Sequence, residues 1–201
     1  DNIDPVAITQ NITVQLDANG AASTTAAAVN NASTDNCSIA TYALDVTAFT
    51  CANLGANTVT LTVTDPAGNT NSATATVTVE DNIDPVAITQ NITVQLDANG
   101  AASTTAAAVN NASTDNCSIA TYALDVTAFT CANLGANTVT LTVTDPSGNT
   151  NSATATVTVE DNINPTITAP ADVTVNVDAG LCTAAFANVT LGTPTTADNC
   201  S

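Results

Sequence analysis

The chain carries 18 Asp and Glu side chains and no Lys, Arg or His, so its carboxylates have no side-chain countercharge. They are not scattered. Residues 1–80 and 81–160 differ only at Ala67/Ser147, and residues 161–201 begin a third, diverged copy. Acids and carboxamides therefore recur at fixed repeat positions. Candidate metal ligands are Asp1, Asp4, Asp35, Asp65 and Asn69 in the first copy. Around the first internal boundary they are Glu80, Asp81, Asn82, Asp84, Asp115, Asn116, Asp145 and Asn149. Around the second they are Glu160, Asp161, Asn164 and Asp198. Such donors suit Ca²⁺, which takes about six to eight oxygens from carboxylates, carboxamides, carbonyls and water. Mg²⁺ wants a stricter octahedron and fewer protein ligands, so it ranks second. Without a cation these acids would repel one another, raising carboxylate pKa values or splaying the domains. The plainer reading is that each Asp closes its own turn, and for Asp17 that reading is preferred.

Cysteine is the second chemistry-bearing type. Cys37 and Cys51 lie in the first repeat, Cys117 and Cys131 in the second, and Cys182 and Cys200 in the third. An even count in each unit predicts disulfides within repeats, Cys37–Cys51, Cys117–Cys131 and Cys182–Cys200, in an oxidising compartment. A closed loop of about 15 residues would contribute roughly 3 kcal/mol in the chain-entropy account. The other reading is pairs of reduced, buried thiols. Zinc is a poor fit to wide spacing without His, and there is no CxxC redox pair.

Composition narrows the function. With a net charge of −18 and a pI near 4.1, the chain lacks the Lys and Arg that bind nucleic acid phosphates or anionic membrane surfaces. No apolar run has the length of a transmembrane helix. Without His or Lys the common catalytic bases and Schiff-base chemistry are missing, so no enzyme is expected. The chain reads as an excerpt of a longer repetitive protein, and its lack of a signal peptide says nothing about secretion. Asn-x-Ser/Thr sequences at Asn11, Asn31, Asn36 and Asn188 read as chance in an Asn- and Thr-rich chain.

The elements that must position these residues are strands. Ile12, Val14 and Leu16 alternate with polar residues; Val59, Leu61 and Val63 alternate with Thr58, Thr60, Thr62 and Thr64; Ala73, Ala75, Val77 and Val79 repeat the pattern. Period two means half-buried strands, and β-branched Thr keeps strand propensity on the outer face. Asn19-Gly20 and Asp65-Pro66-Ala67-Gly68-Asn69 mark turns. Strands are predicted near 6–9, 11–16, 21–29, 38–44, 46–50, 57–65 and 70–79, with no helix. Seven short strands in each 80-residue unit predict an all-β chain of tandem immunoglobulin-like sandwiches. The domains are 1–80, 81–160 and an incomplete 161–201. Pro85 makes the linker from Glu80 extended and short. In this topology the loop between the second and third main strands and the last hairpin loop lie at the same pole as the N-terminal linker. That pole gathers the Asp35, Asp65 and Asp1 positions.

The linker, Thr34-Asp35-Asn36-Cys37 and Val63-Thr64-Asp65-Pro66-Ala67-Gly68-Asn69 resemble the hyalin-repeat (HYR) family. The third copy matches through Pro165–Val175, Gly180-Leu181-Cys182 and Ala197-Asp198-Asn199-Cys200. Copies one and two lack a counterpart of Cys182, so the family's disulfide pattern does not transfer intact. Similar tandem modules build large bacterial surface adhesins. The resemblance implies extracellular, cell-surface immunoglobulin-like modules with an adhesive or spacer role. The expected function is a Ca²⁺-rigidified, disulfide-supported rod whose partners are neighbouring repeats, copies of itself and a surface ligand. Alternatives are a filament subunit completed by strand exchange between chains, and a carbohydrate- or receptor-binding module. The scarcity of aromatics weakens the last of these.

Overall fold

The computed structural model describes residues 1–177, 179–180, 182–183 and 190–200. They form two compact units: Asp1–Thr89 with Asn110–Ala123 and Thr140–Ala153, and Gln90–Val109 with Leu124–Val139 and Thr154–Ser201.

The first repeat lies wholly in the first unit. Its strands are β1 (Ile12–Gln15), β2 (Ala21–Ser23), β3 (Thr41–Leu44), β4 (Ala48–Thr50), β5 (Gly55–Thr64) and β6 (Thr70–Glu80). One sheet has the order β1-β6-β5-β3, and β2 pairs with β4 in a second. The long hairpin β5–β6 is antiparallel with Val59 opposite Ala75 and Leu61 opposite Ala73. β1 lies parallel to β6, with Ile12 opposite Val77. The period-two pattern does what it predicts: Val59, Leu61, Val63, Ala75, Val77 and Val79 point inward, where they meet Leu16, Val29 and Phe49. Thr on the other face stays in contact with solvent. The sandwich is all-β in class, as expected.

Local differences from the strand forecast have physical causes. Residues 21–29 split into β2 and one helical turn, Ala26–Val29. Thr25 caps that turn, its Oγ1 accepting the Ala28 N–H at 3.3 Å, and three consecutive Ala favour helix over strand. The expectation of no helix was therefore wrong. Residues 6–9 make only isolated bridges, Val6 to Thr34 and Thr9 to Asn30. Cys51–Asn53 is a 3-10 turn in which the Asn53 Oδ1 accepts the Thr50 N–H at 2.9 Å. These features set Cys51 at the end of the sandwich where the chain leaves for the next repeat.

The second repeat has the equivalent strands β7 (Ile92–Gln95), β8 (Ala101–Ser103), β9 (Thr121–Leu124), β10 (Ala128–Thr130), β11 (Gly135–Thr144) and β12 (Thr150–Glu160). Within the second unit, β7 is parallel to β12 and β8 antiparallel to β10. In the third copy β13 (Thr166–Thr168) pairs antiparallel with β14 (Thr195–Ala197).

Two predictions follow from the first sandwich. Phe49 is the largest of its fully buried side chains. Phe49→Ala should cost about 3–5 kcal/mol, read as a lower midpoint in chemical denaturation. The Asp45 carboxyl is held below the ordinary Asp value of 3.8, chiefly by the Thr60 N–H, which donates to its Oδ1 at 2.8 Å. A lowered folded pKa means this stabilisation is present above the unfolded value and lost as pH falls through the folded one. Stability should hold down to about pH 4 and then drop, and Asp45→Asn should flatten that acid limb in pH-dependent melts.

Candidate metal centre at a disulfide-linked seam

The junction of the first and second repeats falls inside the first unit. Three elements deliver its acids. The linker after β6 supplies Asp81, the loop ahead of β9 supplies Asp115, and the β11–β12 hairpin loop supplies Asp145. One carboxylate oxygen from each lies within 4.8 Å of the others. Asp81 is 4% exposed and Asp145 2%, so two of the three are withdrawn from water. Burying like charges together without a cation costs several kcal/mol.

Each loop is held by its own hydrogen bonds. Asp145 Oδ1 accepts the Asn149 backbone N–H at 2.7 Å, and its Oδ2 accepts Asn149 Nδ2 at 2.8 Å. Asn149 Nδ2 also donates to the Asp81 carbonyl at 2.9 Å, tying hairpin to linker. Asp115 Oδ2 accepts the N–H groups of Cys117 and Ser118 at 3.0 and 3.1 Å. Asp81 Oδ1 accepts the Ile83 N–H and Asn116 Nδ2, both at 3.1 Å. After these bonds, three buried side-chain oxygens have no hydrogen-bond partner: Asp81 Oδ2, Asp115 Oδ1 and Asn116 Oδ1. Acceptors only, buried and all oxygen, they match the donor chemistry of a hard divalent cation.

Other predicted ligands do not join this group. Glu80 Oε2 accepts Gln15 Nε2 at 2.7 Å, and Asn82 Nδ2 donates to Gln15 Oε1 at 2.7 Å. Both brace the β1–β6 edge, and Asp84 is exposed. Glu160 and Asn162 repeat this bracing on Gln95. In the first repeat Asp1 and Asp35 approach each other beside Cys37. Asp4 is exposed, and Asp65 is buried with Oδ1 and Oδ2 on Asn69. At the second boundary Asp161 Oδ1 accepts Asn199 Nδ2 at 3.1 Å, Asp198 is half-buried, and Asn164 is exposed. Asp17 takes the plainer role. Its Oδ1 accepts N–H groups from Asn19 and Ala21 at 2.8 and 3.0 Å. The Ala21 N–H, then the Asn19 N–H, hold its pKa down.

The cysteines pair differently from the sequence expectation. Cys51 is bonded to Cys117 and Cys131 to Cys200, at sequence separations of 66 and 69 residues. Cys37 and Cys182 are free and exposed. The expected within-repeat pairs are thus replaced by bonds from each repeat to the next. The reason is position: Cys51 sits on the 3-10 turn at the trailing end of its sandwich, whereas Cys117 sits with Asp115 at the leading end of the following one. Asn116 joins the two chemistries. Its Nδ2 donates to the Asp17 carbonyl at 3.2 Å as well as to Asp81, and its own carbonyl lies 3.7 Å from Cys51 Sγ. The second seam, inside the second unit, repeats this arrangement. Asn199 Nδ2 donates to the Asp97 carbonyl at 3.2 Å and to Asp161.

One functional residue escaped the sequence reading. Gly20 was visible only as part of an Asn-Gly turn, yet a Cβ there would lie 2.5 Å from Cys51 Sγ and 2.8 Å from the Asn116 carbonyl. Gly100 repeats this at 2.6 Å from Cys131 Sγ and 2.7 Å from the Asn199 carbonyl. Both have φ of +70°, so a side chain is disfavoured by conformation as well as by space.

No protein-family description matches the chain, and no curated protein matches it. Among solved structures it is similar to the protocadherin GammaB4 extracellular domain, with TM-score 0.41 and 16% identity over 84% of this chain and 35% of that one. It is also similar to human protocadherin-24 EC1-2, with TM-score 0.40 and 12% identity over 80% of this chain and 100% of that one. Mouse cadherin-23 EC22-24 gives TM-score 0.41 and 12% identity over 80% and 65%. The chain spans about a third of the length of the GammaB4 structure it matches.

Two outcomes test the seam. Gly20→Ala should lower the yield of the Cys51–Cys117 linked peptide and cost more than about 1 kcal/mol in thermal unfolding. Replacing Cys51 and Cys117 together by Ser should cost about 4 kcal/mol by the chain-entropy account for that separation, measured against the unmodified chain by denaturant titration.

Proposed function

We propose that this chain is a structural and adhesive segment of an extracellular surface protein, in which each seam between repeats is locked by a disulfide and a Ca²⁺ ion. The observation that supports it is the Asp81, Asp115 and Asp145 cluster. Its buried, unpartnered oxygens lie beside the Cys51–Cys117 bond, in a chain with no cationic side chain. Asp81, Asp115 and Asp145 would hold the ion, with the Asn116 carboxamide oxygen as a further donor. Bound there, Ca²⁺ supplies the missing countercharge. The bonds from Asn149 and Asn116 to the linker fix the position of Asp81. The disulfide suits an oxidising, extracellular setting.

In this reading reach comes from repetition. Near-identical repeats joined by short Pro-containing linkers form a stiff rod, and the same domains 1–80 and 81–160 continue into 161–201. The resemblance to hyalin repeats and to the repeats of surface adhesins agrees with such a role. The segment's partners are neighbouring repeats, with any adhesive ligand recognised elsewhere.

The test is calcium titration by calorimetry and thermal unfolding. Calcium at about one hundred times its Kd should add about 2.7 kcal/mol of stability, and EDTA should remove it. Asp81→Asn should weaken calcium binding by about tenfold or more. Identical melts in calcium and EDTA would overturn the cation's role.

A further inference from the structure

The leading face of the first repeat carries the same Asp-Asn-Cys sequence as the faces that are docked at the two seams. In both seams an Asp-Asn-Cys sequence is the acceptor: Asp115-Asn116-Cys117 and Asp198-Asn199-Cys200. In both, the carboxamide donates to the carbonyl of an Asp in an Asn-Gly turn, and the cysteine bonds to the cysteine of a 3-10 turn. The first repeat carries Asp35-Asn36-Cys37 at the same position.

This face already has the docked geometry. Asp35 Oδ2 accepts the N–H groups of Cys37 and Ser38 at 3.0 and 3.2 Å, matching 3.0 and 3.1 Å at Asp115. Asp35 Oδ1 is buried without a partner, as is Asp115 Oδ1. What differs is exposure. Asp1, Asn36 and Cys37 are exposed, whereas Asp81 is buried and Asn116 and Cys117 are half-buried. Ile3 is 58% exposed, whereas Ile83 is half-covered. A carboxamide and a thiol therefore lie open in a preformed arrangement whose counterparts, Asn116 with Cys117 and Asn199 with Cys200, are half-buried; the apolar side chain beside them is half-covered at Ile83 but 40% exposed at Ile163.

We propose that the Asp35-Asn36-Cys37 face is competent to dock the trailing face of a repeat of this kind when one is joined directly ahead of Asp1. That partner presents an Asp carbonyl and a side-chain-free Gly in an Asn-Gly turn, beside a cysteine at the Cys51 position. Asn36 donates to the carbonyl, Ile3 is partly covered, and Cys37 forms a disulfide with the cysteine. Two thiols are oxidised in that step. Their two electrons and two protons pass to a low-molecular-weight disulfide such as oxidised glutathione, which is reduced to two thiols. The inference stands on the disulfide and turn geometry, not on the cation, so calcium binding and this docking succeed or fail by separate readouts.

The experiment places a copy of residues 1–80 directly ahead of Asp1, which recreates the Glu80–Asp81 junction, and refolds the chain in a glutathione buffer. The parent chain has two free thiols, Cys37 and Cys182. Docking keeps the extended chain at two, because each new seam consumes both of its cysteines. The non-reduced peptide map then links Cys37 to the added repeat's Cys51. Cys51→Ser in the added repeat alone should raise the count to three, with Cys37 again reactive to a thiol reagent. Recovery of Cys37 as a thiol in the extended chain overturns the proposal. So does its bonding to the Cys51 of its own repeat, to Cys182, or to another chain.

Discussion

Asp81, Asp115 and Asp145 set the condition that the rest of the first unit has to meet. Three like charges come within a few ångströms, two of them buried, in a polypeptide whose side chains offer no positive charge. Electrostatic repulsion in a low-dielectric setting opposes that arrangement, and hydrogen bonds satisfy only part of it. The Asn149 bonds to Asp145 and to the linker, and the Asn116 bond to Asp81, hold the groups in register. The oxygens left over define the chemistry of whatever completes the cluster.

The disulfide and the acid cluster form one mechanical unit because Asn116 belongs to both. Its side chain donates to Asp81 and to the Asp17 carbonyl, and its main chain contacts the sulfur of Cys51. Closing the Cys51–Cys117 bond removes chain entropy from the unfolded state and fixes where Asn116 lies. Gly20 permits the approach. Small cores rich in Val and Ala provide little hydrophobic surplus for domains of this size, so the covalent link at the seam adds stability that packing does not supply.

Much of the site was legible without coordinates. Sandwich topology brings the linker, the loop ahead of the third main strand and the last hairpin loop to one pole, and that is where Asp81, Asp115 and Asp145 meet. The turn role of Asp17 was also legible, because an Asp two residues before Asn-Gly can accept its own loop's N–H groups. Glu80, Asn82, Glu160 and Asn162 were not, because Gln15 and Gln95 draw them to the sheet edge across strand pairs. The short helix at Ala26–Val29 had a signal, Thr before an Ala run, that was masked by the surrounding strand pattern.

The sequence alone determined the all-β class, the repeat, the inward faces of the long hairpin and the acidic poles. Each follows from local periodicity and turn chemistry, or from charge content. Which cysteines bond was decided only in three dimensions. In a periodic chain, Cys51 is offered Cys37 in its own repeat and Cys117 in the next, and spacing along the chain favours the near one. The fold places Cys37 and Cys51 on opposite ends of one sandwich and brings Cys51 within a Cα separation of 5.5 Å from Cys117, because a rigid β-sandwich holds its two poles apart while a short linker brings adjacent poles together.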